Sequence, residues 1–327
     1  MTLLVVTIVV ALAFDFTNGF HDTANAVATS VSTRALSPRM AVLIAAIANL
    51  VGAFATPAVA KTVGQGIIDT GLATPKTVLA AVFGAIAWNL LTWWFGLPSS
   101  SSHALIGGLI GAALVQSGEA GVQWHDVVHS VLIPAVWAPA IAFGAAFLLL
   151  LAIYWGLQWL TPGVANRSFR HGQLLSGTWV AFTHGSNDAQ KTMGVIALAL
   201  YSNGSIDSFY IPTWVKVTAG LAIAAGTYAG GYRIMRTLGQ RVFQMDAPAG
   251  FAAQATAGAV IWASTKAGYP LSTTHVVSGA VMGSGATKRL SAVRWGVAGN
   301  IVLAWVLTIP AAAVVAAICW WPVEAVF

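Results

Sequence analysis

The sequence predicts an all-α polytopic membrane protein. It should consist of two inverted-topology repeats, with broken helices or re-entrant hairpins meeting near the bilayer midplane. Three observations predict this. Hydrophobic residues make up 57% of the 327 residues and charged residues only 7%, against roughly 25% charged in an average soluble domain. Two polar motifs each occur twice, in the same order and half a chain apart. FTNGFHDTAN (16–25) recurs as FTHGSNDAQK (182–191), and GLPSSSSHALIGGLIG (96–111) recurs as GYPLSTTHVVSGAVMG (268–283). Such pairs mark internal repeats. Finally, the basic residues are unevenly shared between alternate loops, as the positive-inside rule requires of a membrane chain.

The apolar pattern gives five elements in each half. The first spans Leu3–Val31 and carries Asp15, Asn18, His21, Asp22 and Asn25, so an interruption is expected at Asn18-Gly19. Nothing before Leu3 resembles a charged leader, and this run is expected to be a retained span. Element two covers Met40–Ala60, and element three, Val78–Phe95, passes straight into GLPSSSSH. Element four is Ala104–Val115, and element five is Val131–Trp159 with Pro134 and Pro139 inside it. A polar linker follows, Thr161–Gly172. The second half repeats the plan over Gln173–Leu200, Val215–Tyr232, Phe251–Trp262, Val276–Ala286 and Val297–Trp320. The organisation is thus 1–160, a short cytoplasmic linker at 161–172, and 173–327.

Five elements is an odd number, so the halves should be inverted. Treating elements three and four as a re-entrant hairpin leaves three crossings, also odd. Starting outside, the inner loops collect ten basic residues: Arg34, Arg39, Arg167, Arg170, Arg233, Arg236, Arg241, Lys288, Arg289 and Arg294. The outer loops hold only Lys61, Lys76 and Lys216. The expected location is therefore the inner membrane, with both termini extracytoplasmic. The net charge of +6 is accounted for by these loops and calls for no nucleic-acid partner. Trp93, Trp94, Trp155, Trp159, Trp320 and Trp321 lie near span ends and are expected in the interfacial belts. Cys319 is the only cysteine, which excludes an internal disulfide and a multi-cysteine metal site.

The polar motifs carry the chemistry. Ionisable side chains at membrane depth cost about 3 kcal/mol each on insertion scales and commonly mark a substrate or ion path. PSSSSH and PLSTTH each combine a proline with capping hydroxyls ahead of an apolar, glycine-spaced run, which is how a helix begins. Inside a bilayer such a start presents free N–H groups and a positive dipole end, a site for an oxyanion such as phosphate. The alternative is that both are turns capping ordinary spans. His103 and His275 open these helices and are expected to hydrogen-bond the loop rather than bind a ligand. Asp22 with Asn25, and Asp188 with Lys191, are spaced i, i+3 and share a helical face. The first pair can ligate Na⁺ or hold a proton. In the second, Lys191 can neutralise Asp188 and offer a fixed charge to an anion; a purely structural ion pair is the alternative. Asp15 has no counterpart, because Ala181 takes the aligned position. It lies two turns from Asp22 on nearly the same face, an arrangement that disfavours double ionisation of the two carboxylates. No nucleotide-binding, GxSxG or HExxH pattern occurs, and the seven histidines show no metal-ligand spacing.

NGFHDTANAVAT (18–29), GLPSSSSHALIG (96–107), FTHGSNDAQK (182–191) and PLSTTH (270–275) together resemble the Pit-type inorganic phosphate transporters. The resemblance spans both halves. It implies secondary transport of phosphate between two inverted repeats, without ATP or any cofactor. It places Asp22, Asn25, Asp188 and Lys191 in the binding and coupling centre. Ser100, Ser101, Ser102, Ser272, Thr273 and Thr274 become the donors to the oxyanion. Sodium-coupled relatives carry N-D-x-x-N in both halves, whereas this chain has HDTAN and NDAQK. It therefore looks like the proton-coupled bacterial low-affinity branch, which takes up phosphate partly as a neutral complex with a divalent metal. Lys191 puts a second Na⁺ site in doubt. If Na⁺ is the coupling ion instead, Asp22 and Asp188 are its expected ligands.

The expectation is thus a proton-coupled phosphate symporter and not an enzyme. The alternatives are a Na⁺-coupled carrier, or a carrier of sulfate or another tetrahedral oxyanion. Membrane lipid is the expected surrounding, and a homo-oligomer is compatible with the sequence. An intramembrane hydrolase is disfavoured, because adjacent Ser102 and His103 at a helix start do not align a base with a nucleophile. A channel would not need two matched helix starts.

Overall fold

A computed structural model describes residues 1–327. The fold is helical, with one isolated bridge between Ile68 and Val122 as its only extended pairing. In the first half, α1 (Thr2–Ser32), α2 (Pro38–Gly52), α3 (Ala58–Gln65), α4 (Pro75–Phe95) and α5 (Ser101–Ser117) are followed by α6 (Trp124–Val127). A π-helical turn, Val128–Leu132, joins α6 to α7 (Ile133–Gly156). The second half contains α8 (Pro162–Ser202), α9 (Thr213–Ala229), α10 (Tyr232–Arg236), α11 (Ala247–Lys266), α12 (Thr273–Lys288) and α13 (Trp295–Val326). Five stretches are long and apolar enough to cross a membrane: Thr2–Ser32, Pro75–Phe95, Ser101–Gly121, Trp124–Gly156 and Trp295–Val326.

Two expectations are corrected. First, α1 runs unbroken through Asn18-Gly19. Gly19 is needed there for close packing: a Cβ at this position would overlap the carbonyl oxygen of Ile223 on α9. The Gly19 carbonyl also accepts from Thr23 Oγ1 at 2.7 Å. Second, the expected element over Met40–Ala60 is two helices. The chain breaks after Gly52 and restarts at Ala58, with Pro57 as the cap residue of α3. Residues 162–172 of the expected linker form the first turns of α8, with Pro162 at its first position. Of the six tryptophans expected at the interface, Trp320 is buried. Trp93 packs against Phe20 beneath the Arg233 guanidinium.

The two halves run in opposite senses. Along α1 and α8, Thr33 bonds Gln173 and Asp22 approaches His184, while Asp15 faces Thr192. The two signature helices therefore cross antiparallel with their motifs at the same level. The helix α4 runs parallel to α1, from the Thr7–Pro75 contact to the His21–Thr92 contact, and α5 returns. By the same pattern α11 runs parallel to α8, from Gln254 beside Ser176 to Thr265 beside Asn187, and α12 returns. Each hairpin starts from one end of the molecule and turns back at the level of the aspartates. Packing is exchanged between halves: α7 lies on α11 and α12, and α13 lies on α4 and α5. Glycines make the exchange possible, since Gly111 abuts the Ala313 carbonyl on α13 and Gly283 abuts the Phe143 carbonyl on α7. One apolar core surrounds each hairpin, and the polar centre lies between the two.

Candidate anion and ion centre

The hairpin tips are built by capping. Gly96 takes a left-handed conformation (φ 65°) that ends α4, and Ser100 then caps α5 by accepting from His103 N at 3.1 Å. In the other half Ser272 caps α12, accepting from His275 N at 3.2 Å. Ser100 and Ser272 thus hold the backbone of the tips. The N–H groups of Ser101 and Ser102, and of Thr273 and Thr274, stand ahead of these capped positions without a partner in their own helix, and the macrodipoles add positive ends. The two tips touch. Ser102 Oγ donates to the Leu271 carbonyl at 3.1 Å. The rings of His103 and His275 meet edge to face at 4.7 Å, and Trp305 stacks on His275 at 4.0 Å. Both histidines are therefore packing groups between the hairpins.

Between the tips and the paired helices α1 and α8, the expected charges converge, and all are buried. Lys191 Nζ donates to Asp188 Oδ1, to Ser102 Oγ and to the Leu271 carbonyl, the last at 2.7 Å. The other Asp188 oxygen accepts from Thr273 Oγ1 at 3.2 Å. Asp22 Oδ1 pairs with His21 Nδ1 at 2.5 Å and accepts from Thr274 Oγ1 at 3.4 Å. Asn25 Nδ2 donates to Thr274 Oγ1 at 2.9 Å, while its Oδ1 is buried without a partner. Ser101 Oγ is also buried and unpartnered. The structure therefore brings together Asp22, Asn25, Ser101, Ser102, Asp188, Lys191, Thr273 and Thr274. Asp15 stands apart, two turns along α1. It neighbours Asn18 and Thr192, and neither of its oxygens has a hydrogen-bond partner.

Two histidines join the centre that sequence reasoning did not select. His184 Nδ1 donates to Asn49 Oδ1 at 3.0 Å, and Asn49 is fixed in turn by donating to Thr227 Oγ1 at 2.8 Å. This leaves Nε2 turned between the two carboxylates, 3.1 Å from Asp188 Oδ2 and 4.0 Å from Asp22 Oδ2. Asp22, His184 and Asp188 offer ligand atoms within 4.8 Å of one another. Protonated, Nε2 is a cation between two acids; neutral, it is a lone pair that can join them around a metal ion. His21 links Asp22 outward to Thr92 and Ser99, at 3.2 and 3.3 Å. The available signal was position. His184 lies four residues before Asp188, one helical turn away, and His21 adjoins Asp22.

Residues 18–161 and 158–316 match the phosphate transporter family. The chain is 48% identical over 326 residues to a probable low-affinity inorganic phosphate transporter of Rhizobium meliloti (strain 1021), covering 99% of this chain and 97% of that protein. It is 40% identical over 330 residues to a protein of the same description from Bacillus subtilis (strain 168), covering 100% and 99%. For the one from Mycobacterium tuberculosis (strain ATCC 25618 / H37Rv) the identity is 50% over 323 residues, covering 96% and 76%. A solved structure described as the sodium-dependent phosphate transporter superposes with a TM-score of 0.92 at 25% identity, over 100% of both chains. Two helix starts meeting at a buried lysine agree with the full-length similarity to transporters: the chain belongs to the phosphate transporter family and is a membrane transporter, not an enzyme.

Proposed function

We propose that the protein imports inorganic phosphate by proton-coupled secondary transport. The anion would lie between the tips of α5 and α12, taking the Ser101 hydroxyl and the free N–H groups of both tips. Residues 1–160 and 173–327 would be inverted in the inner membrane around it, joined on the cytoplasmic side through 161–172, with both termini outside. The observation that carries the proton reading is the surroundings of Lys191. Its ammonium is held by a carboxylate, a hydroxyl and a carbonyl oxygen, the kind of oxygen set that would otherwise suit Na⁺. A tethered cation in that position leaves one coupling centre, around Asp22 and Asp15. His184 Nε2, between Asp22 and Asp188, is the group through which a proton on one side is felt on the other.

Phosphate supplies the negative charge that makes the protonated centre more favourable. Proton and phosphate then bind cooperatively, each tightening the other by the same factor. The test is uptake of labelled phosphate by the purified protein in liposomes, with H⁺ or Na⁺ gradients imposed separately and sulfate as competitor. Uptake driven by an inward proton gradient and insensitive to Na⁺ is expected. A second reading is favoured by the cluster of Asp22, His184 and Asp188: a cation at this point, either Na⁺ or the divalent metal of a neutral metal–phosphate complex. Uptake that needs Na⁺, or that stops when divalent metal is chelated, would select it.

A further inference from the structure

A second group of cations lies far from the centre. The C-terminus of α1, the first turns of α8 and the start of α11 enclose a cavity of about 540 Å³, lined by Thr33, Arg34, Asn166, Arg167, Arg170 and Asp246 among others. None of its three arginines makes an ion pair with a carboxylate. The acid that shares the cavity is already engaged: Asp246 accepts from Lys288 at 2.6 Å and caps α11 through Ala249 N at 3.1 Å. Arg170 spends one donor, Nε, on the Thr33 carbonyl at 3.1 Å, which leaves the NH₂ groups of its fork free. Arg34 sits in the left-handed region (φ 58°), the only non-glycine residue to do so. Glycine or asparagine is the less costly choice for such a helix end, yet an arginine stands there on the cavity wall.

The floor of this cavity leads back to the centre. Thr33 donates to Gln173 Oε1 at 2.8 Å, and Gln173 Nε2 donates to the Ala247 carbonyl at 2.8 Å. One turn deeper, Gln254 accepts from Ser176 at 2.8 Å and donates to Ser30 at 2.7 Å. On α1 itself the buried polar residues Asp22, Asn25, Thr29 and Thr33 follow at helical spacing. A polar stripe thus connects the centre to three uncompensated guanidinium groups across a hydrogen-bonded floor.

We propose that this cavity is a second anion site, specific for a phosphoryl oxyanion held by Arg34, Arg167 and Arg170. Guanidinium forks match phosphoryl oxygens bidentately. The ligand is either free phosphate passing between the centre and solvent or the headgroup of an anionic phospholipid. Its identity as phosphate, though not the existence of the site, rests on the function proposed above. The arginines are exposed, so binding there is weaker than at the centre and falls with added salt.

The test uses the full chain in phosphatidylcholine nanodiscs, titrated with labelled phosphate at two salt concentrations. Wild type should show two classes of site. Arg34→Gln/Arg167→Gln/Arg170→Gln should weaken the salt-sensitive class at least tenfold and spare the other. Lys191→Met should do the reverse; phosphate binding unchanged by Lys191→Met would refute the central site while leaving this one standing. A parallel arm purifies both proteins from phosphatidylglycerol-containing membranes and counts retained anionic lipid by mass spectrometry. Lipid retained by wild type and lost from the triple variant assigns the site to a headgroup. Phosphate binding and anionic-lipid retention that are both identical in wild type and triple variant overturn the proposal.

Discussion

Lys191 on α8 donates to Ser102 at the tip of the other half's hairpin, and the repeat-related contact is that of Asn25 with Thr274. The aligned positions thus make the same bridge between halves, but only one of the two bridges carries a full charge. That charge compensates Asp188 inside the protein. Removing one partner of a buried pair leaves the other uncompensated and typically costs about 3–5 kcal/mol. Lys191→Met is therefore expected to abolish uptake in liposomes and to lower the thermal midpoint of the purified protein. The double variant with Asp188→Asn should recover most of the stability but none of the transport.

The hydroxyls of the two tips differ in their duties. Ser101 Oγ is unpartnered, whereas Thr273 Oγ1 already donates to Asp188. Hydrogen bonds to charged groups contribute about 1.5–3 kcal/mol, so Ser101→Ala should weaken phosphate binding by about tenfold or more. Thr273→Ala should act chiefly through the Asp188–Lys191 pair. Direct binding measurements separate the two: the Ser101 variant keeps wild-type stability, and the Thr273 variant does not. Unchanged phosphate affinity in the double variant would move the anion away from these tips.

Gly19 and Gly185 take the same position in the two signature motifs, and each faces a backbone carbonyl of the other half, Ile223 and Asn49 respectively. Since backbone rather than a flexible side chain stands opposite, neither site has room for a methyl group. Overpacking of this kind costs roughly 1–3 kcal/mol. Gly185→Ala is expected to lower the thermal midpoint more than Gly144→Ala, a substitution into open space on α7. Equal midpoints would show that the helices separate without cost.

How much of this was legible in the sequence varies with the physics involved. The repeats, the hairpin starts and the convergence of Asp22, Asp188 and Lys191 follow from motif identity and helical spacing, which are local properties. The continuity of α1 was not legible. A glycine beside an asparagine looks the same whether it breaks a helix or admits a neighbour, and only α9 against Gly19 decides. His184 escaped because its aligned partner is Asn18, so the repeat gave no matching pair. Its role comes from Asn49 on another helix, which turns Nε2 toward the acids.

Orientation is open to a direct check. With Cys319 replaced by alanine, single cysteines at Gly118 and Ser205 should react with an impermeant reagent added outside cells, and those at Arg170 and Ser291 only after permeabilisation. Gly118 follows the C-terminus of α5 and Ser205 the C-terminus of α8, so their agreement ties both halves to one side. One reversed position would break the inverted arrangement.

Coupling places the most weight on Asp15. It is fully buried two turns from Asp22, with Asn18 and Thr192 beside it and both oxygens free of hydrogen bonds. An isolated ionised carboxylate in such surroundings is expensive; the charge of Asp188 adds to that cost and the Lys191 cation offsets part of it. In the proposed scheme a proton taken from outside would relieve that cost, and an arriving phosphate would make the proton harder to lose. Uptake should therefore rise as the external pH falls, because the protonated centre binds phosphate more tightly. Asp15→Asn should retain phosphate binding while flattening this dependence, since an amide keeps the shape but cannot exchange a proton. Asp22→Asn should abolish uptake, as Asp22 also orders His21 and Thr274. If Asp15 serves only to pack α1 against α8, its asparagine variant will keep the wild-type pH profile. Uptake driven by Na⁺ and indifferent to external pH would overturn the proton-coupled scheme as a whole.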